Sequence, residues 1–139
     1  MARVHQQAAV VPYRIRKERI EVALVTTSGG KGWTVPKGSL DHGERPRDAA
    51  IREAEEEAGL RGVTARKLLG RYLHVNDRGR ARVAVYLMRV TNVLDRWPED
   101  KLRRRRWMRI RDAAARLVEE LQPFISDLED VVEPGSRAW

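Results

Sequence analysis

The sequence predicts an α/β layered domain: a mixed β-sheet with helices packed on it. Short apolar runs rich in β-branched residues fall into two groups along the chain. One strongly helical segment separates the groups, and a second helical stretch follows them. At 139 residues the chain can bury one sizeable core but not two ordinary ones, so residues 1–139 read as one domain.

Taken in order, QAAVVPYRI (7–15), RIEVALVTT (19–27) and GWTVP (32–36) read as strands, with TSGGKG (27–32) as a turn. PRDAAIREAEEEAGL (46–60) reads as a helix of three to four turns, because Pro46 suits a first helical turn and Gly59 a C-terminal cap. Its Ala50, Ile51, Ala54 and Ala58 recur near 3.6 residues and form the stripe expected to face the sheet, with the acids in other directions. KLLGRYLHV (67–75), RVAVYLMRVTNVL (82–94) and RRWMRI (105–110) supply the second group of strands. NDRGR (76–80) is a turn and DRWPEDKL (95–102) a loop broken by Pro98. RDAAARLVEEL (111–121) reads as helical, Pro123 divides it from FISDLEDVV (124–132), and residues 133–139 are expected to fray. There is no internal repeat or low-complexity tract.

Cysteine is absent, which excludes disulfides and thiolate metal sites and makes the cytosol the expected compartment. Arg14, Arg16 and Lys17 come too early for a secretory signal, and no stretch approaches the roughly 20 apolar residues of a membrane span. The formal net charge of +8 favours an anionic partner: nucleic acid, an acidic surface, or a small molecule bearing several phosphates.

Against that balance, residues 44–57 hold six acids and three arginines, a local −3 that leaves +11 for the remainder. On a helix, Glu53 lies three residues before Glu56 and four before Glu57, so these carboxylates share one side while Glu55 points elsewhere. A solvated, strongly helix-forming surface segment would look similar. Clustered like charges nevertheless cost energy, more so where water is excluded, and hard oxygen donors in a cluster suit Mg²⁺ or Mn²⁺ bridging to substrate phosphates. Arg52 is placed to hold Glu44 or Glu56 by a forked pair.

The surroundings decide for function. Gly38, five residues, Glu44, seven residues, then Arg52-Glu53-Ala54-Glu55-Glu56-Glu57-Ala58-Gly59-Leu60 match the full Nudix box pattern, nine defined positions at fixed spacing. The chain therefore resembles the Nudix hydrolases. That resemblance implies an α/β/α sandwich, with the box helix on one face of a mixed sheet and the C-terminal helix on the other. It also implies hydrolysis of a diphosphate bond, with Glu53, Glu56, Glu57 and the Gly38 carbonyl as metal ligands and Arg52 and Glu44 supporting them. The proton-accepting group would be Glu53 or a glutamate outside the box.

GWTVPKGSLDHGE (32–44) resembles the approach to the box in diadenosine polyphosphate hydrolases, and residues 82–118 resemble diphosphoinositol polyphosphate phosphohydrolases; together the likeness covers most of 6–118. It implies a polyphosphorylated small-molecule substrate met by Lys37, Gly38, Ser39, Arg82 and Arg103. Two departures stand out. Arg106 takes the place of an acid, and Lys37-Gly38-Ser39 replaces a triple glycine, which moves the reading toward dinucleoside polyphosphates. Of Arg103 to Arg106, two are expected to face outward from an edge strand and the other two to face the cleft. Trp33 and Trp107 read as core rather than nucleobase platforms. The alternatives are a nucleoside triphosphate or RNA 5′-end pyrophosphohydrolase and, in another class, a basic nucleic-acid-binding module; the acid cluster, which repels a phosphate backbone, argues against the last.

Overall fold

The computed structural model describes residues 4–132. The tail expected to fray, 133–139, lies outside them. In chain order the elements are β1 (Val4–Arg16), β2 (Arg19–Thr26), β3 (Trp33–Thr34), β4 (Lys37–Ser39), α1 (Pro46–Ala58), β5 (Leu60–Thr64), β6 (Gly70–Asn76), β7 (Gly79–Val93), β8 (Arg105–Arg109), α2 (Ile110–Arg116), α3 (Gln122–Ser126) and α4 (Leu128–Val131). Among the described residues the strands form one eight-stranded sheet, with a spine β3-β2-β1-β7-β5.

The central pair, β1 and β7, runs parallel from Val4↔Arg80 to Tyr13↔Arg89, and every other pairing is antiparallel. The mixed sheet follows from connectivity: hairpins join near neighbours, whereas a parallel pair needs a long crossover. Between β1 and β2 the strands splay, and β3 and β4 occupy the gap. β3 pairs with the end of β2 (Val25↔Thr34), and β4 with the first half of β1 (Ala9↔Lys37). Val10 N–H donates to the Pro36 carbonyl at 3.0 Å across that insert.

Alternation along β1 sorts the core into two layers. Ala9, Val11 and Tyr13 meet Val83, Val85 and Leu87 beneath Ile125 and Leu128 of the C-terminal helices and Leu117 and Leu121 of the segment that joins α2 to α3. On the opposite face Ala8 and Val10 pack with Ala84 and Met88 against Ala49, Ala50 and Ala54 of α1. The result is the expected α/β/α sandwich.

Four local expectations are corrected. Ile51 is exposed and Ala49 buried, so the inward stripe of α1 sits a little to one side of the predicted one. Glu53 and Glu57 share that inward face instead of avoiding it. Leu60, included in the segment read as helical, instead opens a short strand, Leu60–Thr64, paired to the far half of β7, and the C-terminal helix, read as 111–121, stops at Arg116. Among the described residues no helix is long and apolar enough to cross a membrane.

Candidate active site

The site is built where α1 crosses β4. α1 begins at Pro46 and ends at Gly59, whose φ of 63° is the left-handed conformation that glycine adopts without a side-chain penalty. Its alanines let the helix lie close to β1 and β4, and Glu53 and Glu57, one turn apart, then meet Lys37 and Gly38 directly. A Cβ on Gly38 would lie 2.3 Å from Glu53 Oε1. A side chain there would displace the Glu53 carboxylate, so glycine at this position keeps backbone and carboxylate in close approach.

Arg52 is the hub of the acid cluster. Its guanidinium contacts Glu44 (2.9 and 3.0 Å), Glu53 (2.8 Å), Glu56 (3.1 Å) and the Ser39 carbonyl (3.0 Å), with Asp41 at 3.4 Å. Glu44 also accepts from the Asp41 N–H, and these donors, Arg52 foremost, hold its carboxyl down to about 2. The same partners, led by Glu44, raise the Arg52 pKa.

Glu57 is held differently. Oε1 accepts from the Lys37 N–H at 3.0 Å, and Oε2 faces Arg103 at 3.1 Å. Burial dominates nonetheless and pushes its carboxyl up to about 7, with Glu53 and Glu99 adding like charge. Glu53 moves upward for the same first reason. Lys37 moves downward, again chiefly through burial.

Beside Glu57 opens a cleft of about 430 Å³, lined among others by Trp33, Lys37, Tyr72, His74, Arg78 and Arg103. Trp33 therefore both packs on the core and faces the cleft, whereas Trp107 packs with Ala23 and Val25 as expected. The Tyr72 hydroxyl is buried without a partner. A neighbouring basic recess of about 270 Å³ includes His5, Ser39, Arg78 and Arg80. Arg82 is exposed and lines neither space; the two-residue alternation of β7 puts it on the α1 side of the sheet, with Ala84 and Tyr86.

Of the arginine run, Arg103 and Arg105 are half-buried and Arg104 and Arg106 exposed, as alternation requires, but Arg105 turns to the Ala58 and Leu94 carbonyls instead of facing the cleft. Arg103 lines the cleft, but its guanidinium is committed to Glu57, to Glu99 at 2.9 Å and to the Thr26 carbonyl at 2.9 Å. Glu99 escapes sequence reasoning because it sits in an irregular loop. Its spacing of four residues before Arg103 was the available signal.

Residues 4–128 match the NUDIX domain. The chain belongs to the NUDIX family. Similar Nudix proteins include Nudix hydrolase 16, mitochondrial, of Arabidopsis thaliana, 37% identical over 102 residues (68% of this chain, 56% of that protein). Diphosphoinositol polyphosphate phosphohydrolase 3-beta of Bos taurus is 39% identical over 112 residues (78% of this chain, 66% of that protein). The matched region thus spans little more than half to two thirds of these relatives. Among solved structures, the C. elegans Ap4A hydrolase superposes with a TM-score of 0.78, covering 93% of this chain and 98% of that one at 24% identity, a likeness of fold.

The donor set suits a hard divalent cation. Glu53, Glu56 and Glu57 offer carboxylate oxygens, and the upward shifts of Glu53 and Glu57 mark a place where added positive charge would be favourable. In this conformation the carboxylates are turned toward Arg52, Arg103 and the Lys37 N–H. Among the described residues, no three acidic or imidazole side chains converge closely enough to enclose an ion.

Proposed function

We propose that the protein is a metal-dependent pyrophosphohydrolase that cleaves a diphosphate bond in a polyphosphorylated small molecule. The observation that carries this reading is Glu57: a buried carboxylate whose pKa is pushed up to about 7, one helical turn from buried Glu53, at the edge of a cleft containing Lys37. Glu53, Glu56 and Glu57, with the Gly38 carbonyl, would hold Mg²⁺ or Mn²⁺, each carboxylate turning one oxygen to the ion while the other keeps a protein donor. A bound ion supplies charge neutralisation at the phosphate oxygens and a water of lowered pKa.

The protein's own groups do the rest. Arg52, anchored by Glu44, keeps Glu53 and Glu56 oriented, and Lys37 meets a phosphate oxygen through its side chain while its N–H steadies Glu57. Water attacks phosphorus in line, one P–O bond forms as the bridging P–O bond breaks, and the proton passes to Glu53 or Glu99. Ser39 and the recess beside it receive phosphates beyond the scissile bond. Arg103 reaches the cleft but acts first by fixing Glu57 and Glu99, and Arg82 contacts only a substrate that extends around the β7 edge.

Trp33, Tyr72 and His74 line the cleft together with its cations, which favours a nucleoside end and hence a diadenosine polyphosphate over a diphosphoinositol polyphosphate. The panel that tests this contains diadenosine tetra- to hexaphosphate, an inositol pyrophosphate, nucleoside triphosphates and 5′-triphosphorylated RNA, each with Mg²⁺ and with Mn²⁺. Hydrolysis of the dinucleotides with product pairs that locate the broken anhydride is expected; no hydrolysis of any member would overturn the reading. A nucleic-acid-binding module would instead bind RNA with affinity falling by orders of magnitude between about 50 and 200 mM salt. The cysteine-free chain suits work in the cytosol.

A further inference from the structure

The end of an α-helix leaves four carbonyls without intrahelical partners. In α1 these belong to Glu55, Glu56, Glu57 and Ala58, and a different donor takes each. Gly59 N–H donates to Glu55 O at 3.0 Å, and Glu99 N–H to Glu56 O at 3.0 Å. The Trp97 indole Nε1–H donates to Glu57 O at 2.9 Å, and the Arg105 guanidinium to Ala58 O at 2.7 Å. Three of the four donors come from the loop before β8 and from Arg105, the first residue of β8.

The same stretch is bound to itself and to the helix end. The Arg105 guanidinium stacks over the Trp97 ring at 4.3 Å and also donates to Leu94 O at 3.0 Å. Leu94 N–H donates to Gly59 O at 2.9 Å. The Trp97 ring lies so close to Gly59 that a Cβ there would meet it at 2.9 Å. Within the loop, Leu102 N–H and Arg103 N–H donate to Glu99 O, so the segment moves as a unit with Glu99, and Lys101 and Leu102 are exposed.

We propose that Trp97, with Arg105 stacked on it, is a positioning residue that latches the loop of residues 95–103 to the C-terminus of α1. One side of the latch fixes Glu57 through its own carbonyl. The other sets where Glu99 and Arg103 stand, and Arg103 completes the hold on the Glu57 side chain. Glu57 is thus gripped at backbone and carboxylate by a single loop. The consequence for metal affinity and turnover rests on the hydrolase reading; the latch itself rests on the contacts above.

A Trp97→Phe variant keeps a ring for Arg105 and Gly59 but deletes the donor, and Trp107→Phe removes an indole that packs beside Ala58 and Leu60 but donates nothing to the helix end. Hydrogen exchange at the Leu94 and Glu99 amides, calorimetric Mn²⁺ affinity and steady-state kinetics are read together. For Trp97→Phe, exchange at those two amides should quicken about tenfold while β1 and β7 keep their protection, and Mn²⁺ should bind about tenfold more weakly. kcat should fall with KM unchanged, and Trp107→Phe should show none of these effects. Wild-type exchange at Glu99 together with wild-type Mn²⁺ affinity would overturn the latch, as would a uniform rise in exchange over the whole sheet. Should Trp97→Phe not fold, Arg105→Gln carries the same expectation at Leu94 and Glu99. A wild type that neither binds Mn²⁺ nor cleaves a polyphosphate would remove the hydrolase reading, and the exchange measurement would still decide the latch.

Discussion

At the scale of single residues, Glu57 makes the pH dependence of stability a test of the site. Its folded pKa of about 7 lies above the ordinary value of 4.5, so the stability it contributes is fully present below pH 4.5 and is lost as pH rises through 7. At about 1.4 kcal/mol per unit, the loss is on the order of 3 kcal/mol in protein kept free of divalent metal. Glu44 acts in a separate window, since its depressed pKa gives stability above the ordinary value that disappears only as pH falls toward 2. His74 opposes Glu57, because burial lowers its pKa and its stability is lost as pH falls below the ordinary imidazole range. The comparison with Glu57→Gln cancels that contribution. Tm in EDTA should therefore decline between pH 5 and 8 more steeply in wild type than in Glu57→Gln, and equal slopes would mean that the carboxyl is not perturbed. The same variant should lose at least about 99% of its turnover, because metal charge stabilisation is worth several kcal/mol. Circular dichroism checks that the fold survives.

The elements show which parts of the fold could be read from sequence and which could not. α1 was legible because Pro46, Gly59 and the alanines are local signals, and the long strands because their apolar runs exceed any turn. β5 was not, since Leu60–Thr64 is too short for a period and becomes a strand only by pairing with the far half of β7. The carboxylate face of α1 was misjudged for a related reason: charge pattern assigns acids outward, whereas here Gly38 and Lys37 of β4 receive them. The β1–β2 turn is a place where local chemistry is strained. Lys17 and Glu18 adopt φ of 51° and 64°, the left-handed pair of a two-residue hairpin that Asn-Gly fits best. Replacing them as Lys17→Asn with Glu18→Gly should stabilise the domain by about 1 kcal/mol and raise Tm by a few degrees without touching kcat, since the turn lies at the opposite end of β1 from β4. A lower Tm in thermal unfolding would show that the present turn is better adapted than its dihedral angles suggest.

For the whole molecule, the decisive property is that folding brings together charges which the unfolded chain keeps apart. The +11 remainder does not neutralise the cluster from a distance; Arg52 and Arg103 do so by contact, and they leave Glu53 and Glu57 with raised pKa values. A divalent ion that shares those carboxylates would bind the folded state and hardly the unfolded one, so linkage converts affinity into stability as RT ln(1 + [L]/Kd). Ion at about 100 times its Kd adds roughly 2.7 kcal/mol, which for a domain of this size is several degrees in Tm. Thermal unfolding with and without millimolar Mg²⁺ or Mn²⁺ should show that rise in wild type. A Glu53→Gln, Glu57→Gln double variant sheds the buried like charge, so above pH 7 it should start no less stable than metal-free wild type and gain almost nothing from the ion. An equal shift in both proteins would place the ion elsewhere on the molecule. With no shift in wild type, the carboxylates of α1 would be an arginine-bound structural cluster, and a metal-dependent hydrolase would have lost its centre.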